Sequence, residues 1–213
     1  MNEPGAEAMP VRQHTTTLRG RLRAETAGWH DQMEAVADIP GSIRTRDEYV
    51  ELLSKLYELH ACFENHLAAT RFHEAWVSVG VDMDAHFRAN LLAADLVGLG
   101  ASAPTSPMTS APFATFGHAL GCLYVLEGSS LGGRTVARIV RATLGEVPMT
   151  FLTGDGRSDP VPWLSLCNAL ARFEARGGDC GAVVSGACGI FAAFADHLNR
   201  RAPSQTHGAV TPI

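Results

Sequence analysis

The sequence predicts an all-α fold, a single-domain bundle of about seven helices. Three observations carry that reading. Apolar residues recur at helical spacings through most of the chain, and convincing period-two alternation is absent. The chain has 213 residues, 46% hydrophobic and 18% charged, enough to bury a core without disulfide or metal staples.

Taken in order, residues 1–16 are polar and are expected to form a flexible N-terminal arm. The domain is expected to run over 17–199, with 200–213 a flexible C-terminal tail. Leu18, Leu22, Trp29, Met33 and Val36 repeat at spacings of three, four and seven, one face of a first helix that Pro40-Gly41 ends. Thr45 with Glu48 is a capping-box pattern. It opens a second helix whose face carries Val50, Leu53, Tyr57, His60, Glu64 and Leu67. A third helix spans Asp84 to Val97 and stops before an Ala, Ser, Pro and Thr loop at 101–112. Phe116 to Leu144 is a long glycine-bearing helical stretch closed by Gly145 and Pro148. After a loop at 154–160, Val161 to Ala175 and Gly181 to Asn199 complete the bundle.

Composition excludes several functions. A net charge of −5 with no basic run argues against nucleic acid. Cys62, Cys122, Cys167, Cys180 and Cys188 are odd in number and form no CxxC, so neither a disulfide framework nor a zinc ribbon is expected. Reduced core thiols suit a cytoplasmic protein. No signal peptide is read at the start, and Phe113 to Val125, read as the most apolar stretch, is too short to span a membrane.

Two segments carry chemistry. In the first, glycines 117, 121, 128 and 132 differ by four, seven and four and so share one helix face, with Gly133 beside them. Each costs roughly 1 kcal/mol relative to alanine in a helix. A face of bare backbone serves close helix packing, or lets a flat, bulky ligand lie against it. The run Gly128-Ser129-Ser130-Leu131-Gly132-Gly133 also invites a kink. No Gly-Lys-Ser/Thr follows, so it is not a phosphate loop, and Ser129 and Ser130 lack a nucleophile-elbow context. In the second segment, His30 has Thr26 and Glu34 four residues to either side. That arrangement suits an oriented metal-ligating imidazole or an ordinary surface His–Glu pair. No acid-x-x-His occurs anywhere, which removes a carboxylate-bridged di-iron bundle, and His-Glu-x-x-His is absent as well.

Together the segments resemble the heme oxygenase family, the bacterial biliverdin-producing type associated with bacteriophytochromes. Leu22, Arg23, Thr26, His30 and Glu34 are similar to its proximal helix, and Tyr124 to Gly133 to its distal helix. The resemblance covers about residues 17 to 199 and implies heme sandwiched between a proximal and a kinked distal helix. It implies heme b as both substrate and cofactor, dioxygen as co-substrate, and electrons from a ferredoxin, flavodoxin or reductase. The implied products are biliverdin, carbon monoxide and ferrous iron, with the biliverdin going to a bacteriophytochrome. By the same resemblance His30 is the axial iron ligand and Glu34 steadies its other ring nitrogen. Thr26 and Met33 lie on the proximal side and Arg23 at the heme edge, where the family's tyrosine position aligns with Leu123 and Tyr124 stands next to it. Gly128, Ser129 and Gly132 form the distal pocket and its water network, next to Leu131. Gly133 allows the kink, and Phe191 and Ala195 form a wall.

Two departures stand out. The animal enzymes carry an aspartate where this chain has Ser129, and no Arg or Lys stands at 160–164 where a basic pair is expected. Arg134, Arg138 and Arg141 form a basic stripe that is either a solvated face or a docking patch for an acidic electron donor. The rival readings are a non-catalytic heme carrier or sensor on the same fold, and a thiamin-degrading relative needing a polar-pocket cysteine.

Overall fold

A computed structural model describes residues 17–37, 41–105, 110, 113–154 and 160–200. The expected arm at 1–16 and the tail beyond residue 200 lie outside the described residues, as does the Glu34 side chain. The described chain is all helical, without strands: α1 (Leu18–Glu25), α2 (Ala27–Ala37), α3 (Arg46–Leu67), α4 (His73–Val79), α5 (Ala89–Gly98), α6 (Phe116–Ser130), α7 (Gly133–Leu144), α8 (Thr150–Thr153), α9 (Pro160–Ala175) and α10 (Cys180–Asn199).

Ten helices replace about seven: side chains break two segments that periodicity joins, and α4 and α8 are short helices the periodicity did not give. Thr26 interrupts the first helix: its Oγ1 donates to the Leu22 carbonyl at 2.7 Å, the back-bonding that bends helices. The glycine-bearing stretch divides at Leu131 and Gly132, where Ser129 and Ser130 hydroxyls donate to the Leu126 and Glu127 carbonyls, both at 2.7 Å. The Leu131 N–H then reaches back only to Gly128, tightening the last turn. The third helix starts at Ala89 rather than Asp84, after a 3-10 turn over Met83–His86. Its cap comes from a different helix: the Glu64 carboxylate on α3 accepts the Arg88 and Ala89 N–H groups at 2.9 and 3.1 Å. The Thr45–Glu48 capping box forms as expected.

Helix α10 packs along α6 and also touches α1, α2 and α3. By length and composition it, not Phe113–Val125, is the described helix apolar enough to cross a membrane, yet 56% of that span is buried inside the bundle as in a core helix. One core region gathers Leu18, Leu22, Phe63, Trp76, Leu120, Leu123, Leu166, Ile190 and Phe194. A second, smaller one holds Tyr49, Leu53, Leu92, Leu96, Val140 and Phe151. All five cysteines are free.

Candidate functional site

The site is built where α1 and α2 lie against α6, α9 and α10. Helix α1 is held from far along the chain: both carboxylate oxygens of Glu174 on α9 accept the Leu18 N–H, at 3.0 and 3.1 Å. The break at Thr26 lets α2 restart, and His30 follows one turn later. Its residue is solvent-exposed on one side. On the other its ring meets Phe191 of α10 edge-on, with centroids 4.8 Å apart.

Two cavities flank His30. One, of about 550 Å³, is lined by Arg19, Arg23, His30, Tyr124, Val125, Gly128, Leu131, Trp163 and Phe191, among others. The other, of about 610 Å³, is lined by His30, Met33, Tyr49, Leu53, Leu56, Val125, Gly128, Ser129, Gly132, Gly133, Phe151, Phe191 and Phe194, among others. His30, Val125, Gly128 and Phe191 belong to both, so the two adjoin across a shared wall and are taken together as the cleft. Each is of the size that holds a small molecule or cofactor. The second draws walls from both core regions, so it sits on the seam between them.

The glycine face packs on another helix at one end and is open at the other. At Gly117 an added Cβ would stand 2.8 Å from that of Ala182; at Gly121 it would overlap the Val183 carbonyl and stand 2.7 Å from the Ala187 nitrogen. Those two let α10 press onto α6. At Gly128 and Gly132 a Cβ would meet nothing nearer than 3.9 and 4.0 Å, so there the bare backbone opens on the cleft. Gly133 lines the cleft but also packs on Leu152, whose carbonyl oxygen would lie 2.5 Å from a Cβ.

The cleft is two-sided in character. The first cavity carries Arg19 and Arg23 at its edge beside Tyr124. Burial pushes the Tyr124 phenol up, opposed by a hydrogen bond to Thr26 and by the Arg19 and Arg23 charges. Tyr124 also rests on Trp163, ring centroids 5.7 Å apart. The second cavity is mostly apolar. There the Tyr49 hydroxyl donates to the Pro148 carbonyl at 3.1 Å, and burial raises its pKa.

Of the residues singled out in the sequence, Arg23, His30, Met33, Tyr124, Gly128, Ser129, Leu131, Gly132, Gly133 and Phe191 line this cleft. Thr26 does not: it is fully buried beneath, its hydroxyl donating to the Leu22 carbonyl. Ala195 is buried in the core and lines neither cavity. Arg134, Arg138 and Arg141 lie exposed on α7, away from the cleft lining; Arg141 pairs with Glu146 at 3.0 Å and Arg138 donates to Thr135 at 3.2 Å. Sequence reasoning missed Arg19, four residues before Arg23 and readable as the same stripe. It also missed Trp163, Phe151 and Phe194, whose place depends on how α8, α9 and α10 pack.

One deeper pair positions the glycines. Glu127, next to Gly128, is 2% exposed and accepts from His86 Nδ1 at 2.8 Å, which pins α6 to the 3-10 turn. Among the described residues no three His, Cys, Asp or Glu side chains gather to hold a metal ion. A lone cleft histidine suits a metal that brings its other ligands with it, as a metal in a macrocycle does.

The bundle has the heme oxygenase fold. Its likeness is to the crystal structures of NO- and CO-bound heme oxygenase from Neisseria meningitidis, with a TM-score of 0.69 and 20% identity over 85% of this chain and 90% of that one. No family model matches the sequence, and no curated protein matches it.

Proposed function

We propose that the chain is a heme oxygenase, opening heme b to biliverdin, carbon monoxide and ferrous iron with dioxygen and external electrons. The observation that carries this reading is the pair of adjoining cavities lined by His30 and by the open backbone at Gly128 and Gly132. The residues present fit the group: a flat macrocycle needs an axial imidazole, a wall without side chains and basic groups at one edge. Heme, when bound, supplies the iron that activates dioxygen and the ring that is cleaved.

The chain's own residues position and exclude. His30 offers a ring nitrogen, and its edge-on contact with Phe191 limits how the ring turns. Glu34, four residues on, is the proposed partner of the other ring nitrogen. Arg19 and Arg23 offer guanidinium groups to carboxylates at the edge. Gly128 and Gly132 would leave room for a flat ring beside the backbone, and Met33, Leu53, Leu56 and Val125 would keep bulk water from it. The exposed stripe of Arg134, Arg138 and Arg141 is proposed to dock an acidic ferredoxin, flavodoxin or reductase. The biliverdin is proposed to supply a bacteriophytochrome, and the free thiols fit a reducing, cytoplasmic setting.

A non-catalytic heme carrier or sensor is the second reading. The observation favouring it is that the Ser129 hydroxyl turns back to Leu126 rather than into the cleft. One experiment separates the two. Hemin added to the purified protein should give a Soret band that is lost in His30→Ala while the melting temperature of the ligand-free variant stays unchanged, because His30 is exposed. Ascorbate or a reductase system in aerated buffer with catalase should then yield biliverdin. A stable ferrous–oxy spectrum without pigment would establish the carrier, and no Soret band in the wild type would overturn both readings.

A further inference from the structure

The last turn of α6, from Glu127 to Ser130, is a wall of the cleft, and little holds it from the cleft side. A Cβ at Gly128 would meet only Trp163, at 3.9 Å. The Ser129 and Ser130 hydroxyls turn back into their own helix, which loosens the ladder rather than tying it to a neighbour. The close backbone contacts with α10 lie two and three turns earlier, at Gly121 and Gly117.

The turn is held from behind. Glu127 accepts from His86 Nδ1 at 2.8 Å, and both residues are 2% exposed. Among the described residues this is the last turn's one side-chain hydrogen bond to another element. His86 closes the 3-10 turn Met83–His86, and the residues after it are fixed in their own right: the Arg88 and Ala89 N–H groups donate to Glu64 of α3. One short segment therefore grips α3 through Glu64 and α6 through Glu127. Both helices wall the second cavity, α3 with Leu53 and Leu56, α6 with Gly128 to Ser130.

A buried charged pair often fails to offset its own desolvation, so its presence is weak evidence of stability. Its best attested use is to select one arrangement among near-equals, because any other strands a buried carboxylate. The rest of this contact is apolar: Leu123, Val125 and Leu126 surround the pair's helix with core packing. Apolar packing keeps a fold while losing uniqueness of position.

We infer that the His86–Glu127 pair is the anchor that fixes the glycine end of α6 relative to α3, and that this placement decides how a bound macrocycle is seated and so which pigment isomer forms. The anchoring follows from the hydrogen bonds alone; its effect on the pigment rests on the heme-cleaving reading. Both are positioning residues, since neither lines the cleft and each acts through the backbone at Gly128.

The test uses the full chain carrying His86→Leu with Glu127→Leu, which removes both partners and strands no charge. Its melting temperature should stay within about 5 °C of wild type. In ligand-free wild type labelled with ¹⁵N-glycine, Gly117, Gly121, Gly128 and Gly132 should each give one sharp amide peak. The double variant should keep Gly117 and Gly121 single and split or broaden Gly128 and Gly132. Single sharp Gly128 and Gly132 peaks in the double variant, wherever they fall, refute the anchor, and so do peaks already broadened in the wild type. His86→Asn keeps an N–H about where Nδ1–H stands and should give wild-type peaks, whereas His86→Gln, whose N–H lies further out, should not. Should the double variant fail to fold, these two decide, and identical glycine spectra in both refute the anchor. Loaded with hemin, the double variant should still give a Soret band but change the ratio of pigment isomers severalfold, while His86→Asn keeps the wild-type ratio. An unchanged ratio in the double variant refutes the effect on the pigment. A wild type that binds no hemin sinks the functional reading and leaves the glycine spectra to decide the anchor.

Discussion

At the scale of single residues, much of the structure rests on carboxylates that cap helices other than their own. Glu64 starts α5, Glu174 starts α1, and Asp95 accepts the Thr150 and Phe151 N–H groups, both at 2.8 Å, to start α8. None of these was legible in the sequence, because a cap supplied from a distant helix leaves no local signature. The local cap was legible: Glu48 sits three residues after Thr45 and closes its box as the pattern predicts. There the Arg44 side chain and backbone N–H hold the Glu48 carboxyl at about 2, down from 4.5, with the Thr45 N–H adding to the effect. A depressed pKa stabilises the fold above the unfolded value and loses that contribution as pH falls through the folded one. The melting temperature of Glu48→Gln should therefore fall short of wild type by a constant margin above about pH 4.5, and the margin should close as pH falls to about 2. A margin that persists unchanged at pH 2 would contradict the charge-based account. His30 was legible as a candidate ligand from its neighbours four residues away.

At the scale of elements, the glycine-bearing pair α6 and α7 was the most readable part of the chain. The shared face and the kink followed from the glycine and serine pattern, whereas spacing left packing and an open backbone as alternatives and only the resemblance put Gly128 and Gly132 at a pocket. The division of labour along that face followed from neither, since it depends on where α10 leaves α6. That division gives a paired prediction. Gly121→Ala should destabilise the fold by about 2 kcal/mol or more, because the new methyl meets α10 backbone that cannot step aside. Gly128→Ala should leave stability unchanged or raise it by up to about 1 kcal/mol, the intrinsic helix preference of alanine. The same change should weaken hemin binding or alter the pigment isomer, because the methyl enters the cleft. Thermal melts beside hemin titrations check both halves, and equal melting temperatures for the two variants would refute the split.

For the molecule as a whole, the all-α class was legible from periodicity, and the helix count was not, because back-bonding hydroxyls at Thr26, Ser129 and Ser130 cut segments that hydrophobic spacing joins, and α4 and α8 are too short to show a period. The whole-molecule charge also makes a prediction. On a chain of net charge −5, three exposed arginines at spacings of four and three on α7 are a local inversion of sign. If they dock an acidic donor, Arg138→Glu should slow donor-dependent turnover several-fold at low salt and lose that effect as salt rises, with hemin affinity untouched. Turnover at low salt equal to wild type would remove the docking role.

The Glu174 carboxylate on the Leu18 N–H joins positions 156 residues apart. Its consequence concerns the timing of assembly. A chain emerges from the ribosome N-terminus first, so His30 is exposed to the cell long before Trp163, Glu174 and Phe191 exist. Closing a loop of that length comes late in folding as well. His30 is thus among the first cleft residues made and among the last put in place. A nascent or C-terminally truncated chain holds the histidine without the cleft around it, so the cleft is complete only once synthesis has run to its last helix.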